Sequence, residues 1–229
     1  LYVGCAGGLD ANIVFDYAPA ALPAGDYEAM RLTVKGLKGG HSGIQIVAQR
    51  ANANKLLFRL LNARAEELGL LLASVDGGGL RNAIPREAEA VVVIPKANRT
   101  AFAEAVEAYE KTMIAEYAGI EDSISIRAEA CAAPAAIIPA DVAAKLTRAI
   151  VGCPDGVVRM STAMPGLVQT STNLARVVSA GRTIKLQCLL RSSVRSEKEA
   201  LGEAIAAVFA LAGATTELTG SYDGWNPDM

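Results

Sequence analysis

The only histidine in the chain, His41, lies in the stretch GLKGGHSGI at 36–44, among four glycines. Histidine is the side chain most often recruited for proton transfer and metal binding near neutral pH. Taken alone, one histidine in a glycine-rich turn is as readily a tolerated loop residue. Two further polar residues at the ends of strand-like stretches change its meaning. Asn82 sits in RNAIP at 81–85, just after three glycines, next to a proline that fixes an extended backbone. Arg191 ends TIKLQCLLR at 183–191, where Thr183, Lys185, Gln187 and Arg191 share a face opposite Ile184, Leu186, Cys188 and Leu190. An imidazole, an amide and a guanidinium suit a small anionic substrate. The arginine grips a carboxylate with two hydrogen bonds, the amide bonds beside it, and the histidine steadies a developing oxyanion. In that set His41 polarises a bond and does not ligate a metal. The glycines around it are expected to admit a close-approaching molecule, and the amides ahead of the next helix to favour negative charge.

Other chemistry is missing. A zinc or two-metal hydrolase site needs several nitrogen, oxygen or sulfur ligands within bonding distance. One histidine cannot supply them, and H-x-D, H-E-x-x-H and C-x-x-C are all absent. The acidic pairs Glu66-Glu67 and Glu121-Asp122 fall in helix or turn contexts that read as solvent-facing. There is no G-x-S-x-G nucleophile elbow. GLKGGHSG puts its lysine before the glycines, unlike a Walker A loop, and GGGLRN fails the G-x-G-x-x-G pattern. No complete active site is legible, and no cofactor is expected on this chain.

Composition narrows the partners. The formal net charge is −2, the basic residues are scattered and aromatics make up 5%, so nucleic acid is not an expected partner. The longest apolar run, AEAVVVIP at 88–95, is strand-length and far short of the ~18 residues of a membrane span. No secretory signal is visible, and without an initiating methionine the chain is expected to be processed or excised. Cys5, Cys131, Cys153 and Cys188 form no close pair in sequence, which fits reduced, mostly buried thiols and a cytoplasmic location.

These residues need a scaffold, and the pattern predicts an α+β one. MRLTVKG at 30–36 alternates as a strand, with Met30, Leu32 and Val34 on one face. A helix follows, with Ala53, Leu56, Leu57, Leu60 and Leu61 on one stripe and Gly69 as its stop. Strands LLLASV and EAVVVIP come next. A second helix from about Thr100 carries the stripe Phe102, Val106, Tyr109, Met113 and Tyr117, and the strand SISIRAEA follows it. Strand–helix–strand–strand–helix–strand is the split βαβ, ferredoxin-like unit, here over 28–131. Residues 1–27 read as an extended hairpin leading in, and 132–139 as a connector. Residues 140–229 read as a second sheet-and-helix subdomain. In it a short helix precedes three strands. Ser196 to Glu199 reads as a capping box for a helix with the stripe Leu201, Ile205, Val208 and Leu211, stopped by Gly213, and TTELTGSY is the last strand. The expected fold is thus ferredoxin-like units with two antiparallel or mixed sheets and helices on one face.

Eight stretches carry a resemblance along the whole chain: GCAGGLD (4–10), LTVKGLKGGHSG (32–43), NANKLL (52–57), GGGLRNAIPREA (77–88), GVVRMS (156–161), LVQTSTNLA (167–175), CLLRSSV (188–194) and YDGWNPD (222–228). They resemble bacterial aminoacyl-histidine dipeptidases, the Xaa-His, carnosine-cleaving di-zinc peptidases related to carboxypeptidase G. The resemblance covers the middle of such an enzyme and implies its substrate-binding lid. The two zinc ions and the catalytic glutamate are then expected in a catalytic domain built from segments outside these residues. Carried over, His41 matches the lid histidine that stabilises the tetrahedral intermediate, and Asn82 and Arg191 match residues that bind the substrate backbone and its terminal carboxylate. The implied partners are a dipeptide substrate, the enzyme's own catalytic domain and a second copy in a homodimer. By itself the lid is expected to be inactive. The competing expectation is a stand-alone interaction or dimerisation module with ferredoxin-like units and no catalytic role.

Overall fold

The computed structural model describes residues 5–225, so residues 1–4 and the end of the YDGWNPD stretch lie outside it. Along the chain come β1 (Gly7–Asp16), β2 (Tyr27–Lys35), β3 (Gly40–His41), α1 (Ala53–Leu68), β4 (Leu71–Gly78), β5 (Ala83–Ile84), β6 (Ala88–Pro95) and α2 (Arg99–Glu116). They are followed by β7 (Ser125–Ala130), α3 (Ala140–Gly152), β8 (Gly156–Met160), β9 (Val168–Ala180), β10 (Thr183–Ser192), α4 (Arg195–Leu211) and β11 (Thr215–Tyr222). The class is α+β. A nine-stranded sheet runs β11-β1-β10-β9-β4-β6-β2-β7, with β8 also on β9, and a second, two-stranded sheet pairs β3 with β5. Every strand pair is antiparallel. The helices pack on one face of the large sheet.

The order β4-β6-β2-β7, with α1 and α2 as its helices, is the split βαβ arrangement. The strands after residue 140 do not stand as a separate layer. They continue the same sheet through β9, whose first half pairs with β8 and whose Arg176–Val178 segment pairs with β4. Residues 7–16 are not an arm of a hairpin. They form one strand inserted between β10 and β11, with Leu9, Ala11, Ile13 and Phe15 turned into the core. Ala20 and Ile137 form a backbone bridge, and Ile138 donates to the Leu72 carbonyl, so the connector is pinned to the sheet.

One continuous core lies between sheet and helices. Met30, Leu32 and Val34 of β2 are buried in it, as are Ala53, Leu56, Leu57, Leu60 and Leu61 of α1. Asn52 caps α1 by accepting from the Asn54 and Lys55 amides, and Gly69 ends it in the left-handed region at φ 63°. In α2, Phe102, Val106 and Met113 are buried, while Tyr109 is half-buried and donates its hydroxyl to the Leu56 carbonyl at 2.8 Å. Burial pushes the Tyr109 pKa upward.

The α4 expectations need two corrections. The helix starts at Arg195 with Val194 as its cap residue and no side-chain cap, so Ser196 lies inside it and no capping box forms. Glu199 instead accepts from Arg195 Nε at 2.8 Å. Leu211 is 91% exposed, and the buried stripe is Leu201, Ile205 and Phe209, with Phe209 edge-on to Phe15 at 6.1 Å.

Candidate functional site

The face of the sheet opposite the helices carries the polar residues. Arg191 in β10 pairs with Ser171 in β9 and with Gly8 in β1. By strand alternation, Leu189, Asn173, Asp10 and Tyr222 share that face. Two loops fold over it. One holds β3 and the other holds β5, and their pairing sets Gly40 against Ile84 and His41 against Ala83. The Ser42 amide donates to the Asn82 carbonyl at 2.9 Å. The histidine stretch and the Arg81-Asn82 stretch are thereby zipped together by a miniature sheet.

Several side chains fasten those loops. Arg81 Nη1 donates to both carboxylate oxygens of Asp10 at 2.8 Å. Asn173 Nδ2 donates to the Ala83 carbonyl at 2.9 Å. Glu121 accepts from the Lys38 amide at 2.8 Å and from the Ala51 amide at 3.1 Å. Glu121 is buried, against the solvent-facing expectation, because its carboxylate replaces backbone partners that a turn this irregular cannot supply itself.

The glycines also act differently from expectation. A Cβ on Gly40 would lie 2.5 Å from Gln45 Oε1 and 2.6 Å from Arg50 Nη1, so the room there is taken by the chain's own side chains. After His41 comes only a short 3-10 helix at Ile46–Ala48, and α1 starts at Ala53, so the loop amides are not at an α-helix N-terminus. Those amides turn inward onto the imidazole. Gly43 N and Ile44 N donate to His41 Nδ1 at 3.1 and 3.2 Å. A nitrogen accepting two N–H groups carries no proton, so the neutral ring bears its hydrogen on Nε2. Gln45 Oε1 accepts the His41 amide at 2.8 Å and holds the residue in place.

His41 and Arg191 are brought together. A Cβ on Gly43 would meet Arg191 Nε at 3.1 Å, His41 Cε1 at 3.1 Å and His41 Nδ1 at 3.2 Å. Arg191 is half-buried, its Nη1 donates to the Tyr222 hydroxyl at 3.2 Å, and its Nε is buried without a partner among the described residues. Asn82 joins the group through its backbone, and the residue is exposed to solvent. The arrangement offers an N–H on an imidazole and a guanidinium edge side by side, which suits a carboxylate near a polarised carbonyl.

The sequence points to these three residues by type, and not to the residues that hold them in place: Gln45, Glu121, Asn173 and Tyr222. Nothing in their spacing marks them, since each partner is distant in the chain or is a backbone atom. Behind the site, Glu197 accepts from Gln169 and Thr170, and these bonds hold its pKa below the usual carboxylate range. No group of three or more His, Cys, Asp or Glu side chains among the described residues could hold a metal ion. His41 Nδ1 accepts the Gly43 and Ile44 amides, so that nitrogen is not presented to a metal.

Residues 32–121 match the peptidase dimerisation domain family. The whole chain is 39% identical over 228 residues to the Cytosol non-specific dipeptidase of Escherichia coli (strain K12), covering 47% of it. The fold superposes on the crystal structure of aminoacylhistidine dipeptidase from Vibrio alginolyticus with a TM-score of 0.96 and 40% identity. That match covers 99% of this chain and 46% of the other. The chain thus spans about half the length of both relatives. No helix among the described residues is long and apolar enough to cross a membrane.

Proposed function

We propose, on the premise that residues 32–121 are a peptidase dimerisation domain, that the chain is the substrate-binding lid of a dipeptidase acting on Xaa-His dipeptides such as β-alanyl-histidine. The observation that carries this reading is the meeting of His41 and Arg191 at Gly43. Arg191 takes the terminal carboxylate of the dipeptide in a forked contact. Asn82 hydrogen-bonds the substrate backbone beside it. His41, with its proton fixed on Nε2, donates to the carbonyl oxygen as charge develops there. Closure of these loops over the dipeptide excludes water from the reacting bond. The two zinc ions that the resemblance implies would be held by residues outside this chain.

The partners in this reading are the dipeptide, the protein's own catalytic domain and a second copy of the chain. The family match supports a homodimer, and the name of the Escherichia coli relative supports a cytoplasmic location. That same family match favours a second reading, an interaction and dimerisation module with no part in catalysis. Hydrolysis of β-alanyl-histidine by the full-length protein separates them. In the lid reading, His41→Ala lowers kcat by about 30- to 1000-fold, a loss of about 2–4 kcal/mol of barrier stabilisation. Arg191→Ala raises KM more than it lowers kcat. Unchanged kinetics in both variants, with the dimer intact by sedimentation, leaves only the module.

A further inference from the structure

Strand β11 carries an irregularity that the lid reading does not use. Tyr222 pairs with Gly8 of β1, yet Thr219 pairs with Asp10, so Gly220 and Ser221 together oppose Leu9. Two residues against one is a β-bulge, and Gly220 at φ 63° supplies the left-handed residue such a bulge needs. In unbroken register, Ser221 would face Gly8 and Tyr222 would point to the opposite face of the sheet. The extra residue therefore decides which face receives the tyrosine.

What Tyr222 meets on that face is specific. It lies in a cross-strand row with Gly8 and Arg191, and the middle member has no side chain. A Cβ on Gly8 would sit 2.3 Å from Tyr222 Cε1 and 2.7 Å from its hydroxyl oxygen, so the ring lies across the glycine. Its hydroxyl accepts from Arg191 Nη1 at 3.2 Å. From the helix side, Lys198 donates its Nζ to the Tyr222 carbonyl, and Asp223 lies 3.6 Å from the same ammonium. The Lys198 side chain has no solvent exposure, so the end of β11 is tied down from beneath.

We infer that Tyr222 is a positioning residue for Arg191, aimed by the Gly220 bulge, given room by Gly8 and anchored by Lys198. With one Nη1 hydrogen held by the tyrosine and Nε covered beside Gly43, the guanidinium leaves Nη2 and the second hydrogen of Nη1 for the ligand. End-on contact through the two Nη groups is one of the two ways a guanidinium forks a carboxylate. The inference rests on the reading of Arg191 as the carboxylate grip and names what sets the angle of that grip.

The test uses Tyr222→Phe, which removes one oxygen and leaves the ring over Gly8. In the full-length protein with β-alanyl-histidine, Tyr222→Phe is expected to raise KM about fivefold and to leave kcat within about twofold. In an Arg191→Ala background the same change is expected to add less than about twofold to KM, because the group it orients is gone. A KM that does not move, or that moves equally in both backgrounds, overturns the inference. If Arg191→Ala itself leaves KM unchanged, the carboxylate reading has failed instead. The geometry is then still tested in the 229-residue chain without substrate. There, the Arg191 Nε–H resonance is expected to exchange with water about tenfold faster in Tyr222→Phe. An unchanged exchange rate overturns the positioning role whatever the substrate.

Discussion

Asp155 accepts the Leu174 amide at 2.8 Å through the same oxygen that takes Asn52 Nδ2 at 3.0 Å. The carboxyl thus points inward, beneath the start of α1. Burial raises its pKa from 3.8 to about 6, against the opposing pull of these bonds and of Lys55. A carboxyl whose folded pKa is raised binds its proton more tightly when folded. Its contribution is therefore most favourable below about pH 4 and is lost as pH rises towards about 6. The gap of about two units is worth up to about 3 kcal/mol. Asp155→Asn keeps an oxygen for both donors and removes the titration. Relative to the wild type, the variant should gain stability between pH 4 and pH 7 in urea unfolding. A constant difference over that range would contradict the burial of the carboxyl.

Glu121 brackets the His41 loop through the amides of Lys38 and Ala51. Glu121→Ala leaves both donors without their acceptor, at a cost of about 2–4 kcal/mol. Glu121→Gln keeps one oxygen and should recover about half of that loss. Hydrogen exchange should quicken at residues 38–51 and stay unchanged in β9 and β10. Exchange that rises uniformly would mean that Glu121 supports the fold and not the loop.

The elements visible in the sequence are those whose information is local. The leucine stripe and Gly69 delimit α1 because periodicity and a left-handed stop are short-range signals. The alternation of β2 and β10 fixes their buried faces for the same reason. The place of β1 is not legible, since its partners β10 and β11 come last in the chain and nothing near residues 7–16 names them. The capping box does not form because α4 begins one residue before Ser196, and the carboxylate of Glu199 is taken by the Arg195 side chain. The types of His41, Asn82 and Arg191 suggested a site, whereas the contact at Gly43 depends on the β3–β5 pairing and on sheet order. Asn52 was open to discovery, as a capping residue directly ahead of an apolar stripe.

Cys153 and Cys188 lie with their sulfurs 4.0 Å apart in the core, while Cys5 and Cys131 are only half-buried. The contact with Cys153, together with burial, pushes the Cys188 thiol well above its ordinary pKa. Thiolate is the form that alkylates. In native protein, iodoacetamide should therefore label Cys131 and Cys5 at least about 100-fold faster than the buried pair. Peptide mass spectrometry reads the order directly. Early labelling of Cys188 would show that α3 and β10 separate readily.

Gly43 offers the sharpest test of the site, because its backbone does not need glycine. Its φ lies outside the left-handed region, so alanine is conformationally allowed there. The added methyl would stand 3.1 Å from Arg191 Nε and 3.2 Å from His41 Nδ1, closer than comfortable contact with either. Neither side chain is deep in the core, so both can yield by a few tenths of an ångström without unfolding anything. Gly43→Ala should then melt within about 2 °C of the wild type, since no buried contact or hydrogen bond is lost. Catalysis should suffer in both parameters, as the methyl fills the space where guanidinium and imidazole converge. A fall in kcat/KM of about tenfold or more, about 1.4 kcal/mol, is expected for β-alanyl-histidine in the full-length protein. Gly43→Ser adds a hydroxyl to the same volume and should be no better. Full activity in both variants at unchanged stability would mean that substrate does not pass between His41 and Arg191, and the assignment of the pair would fall.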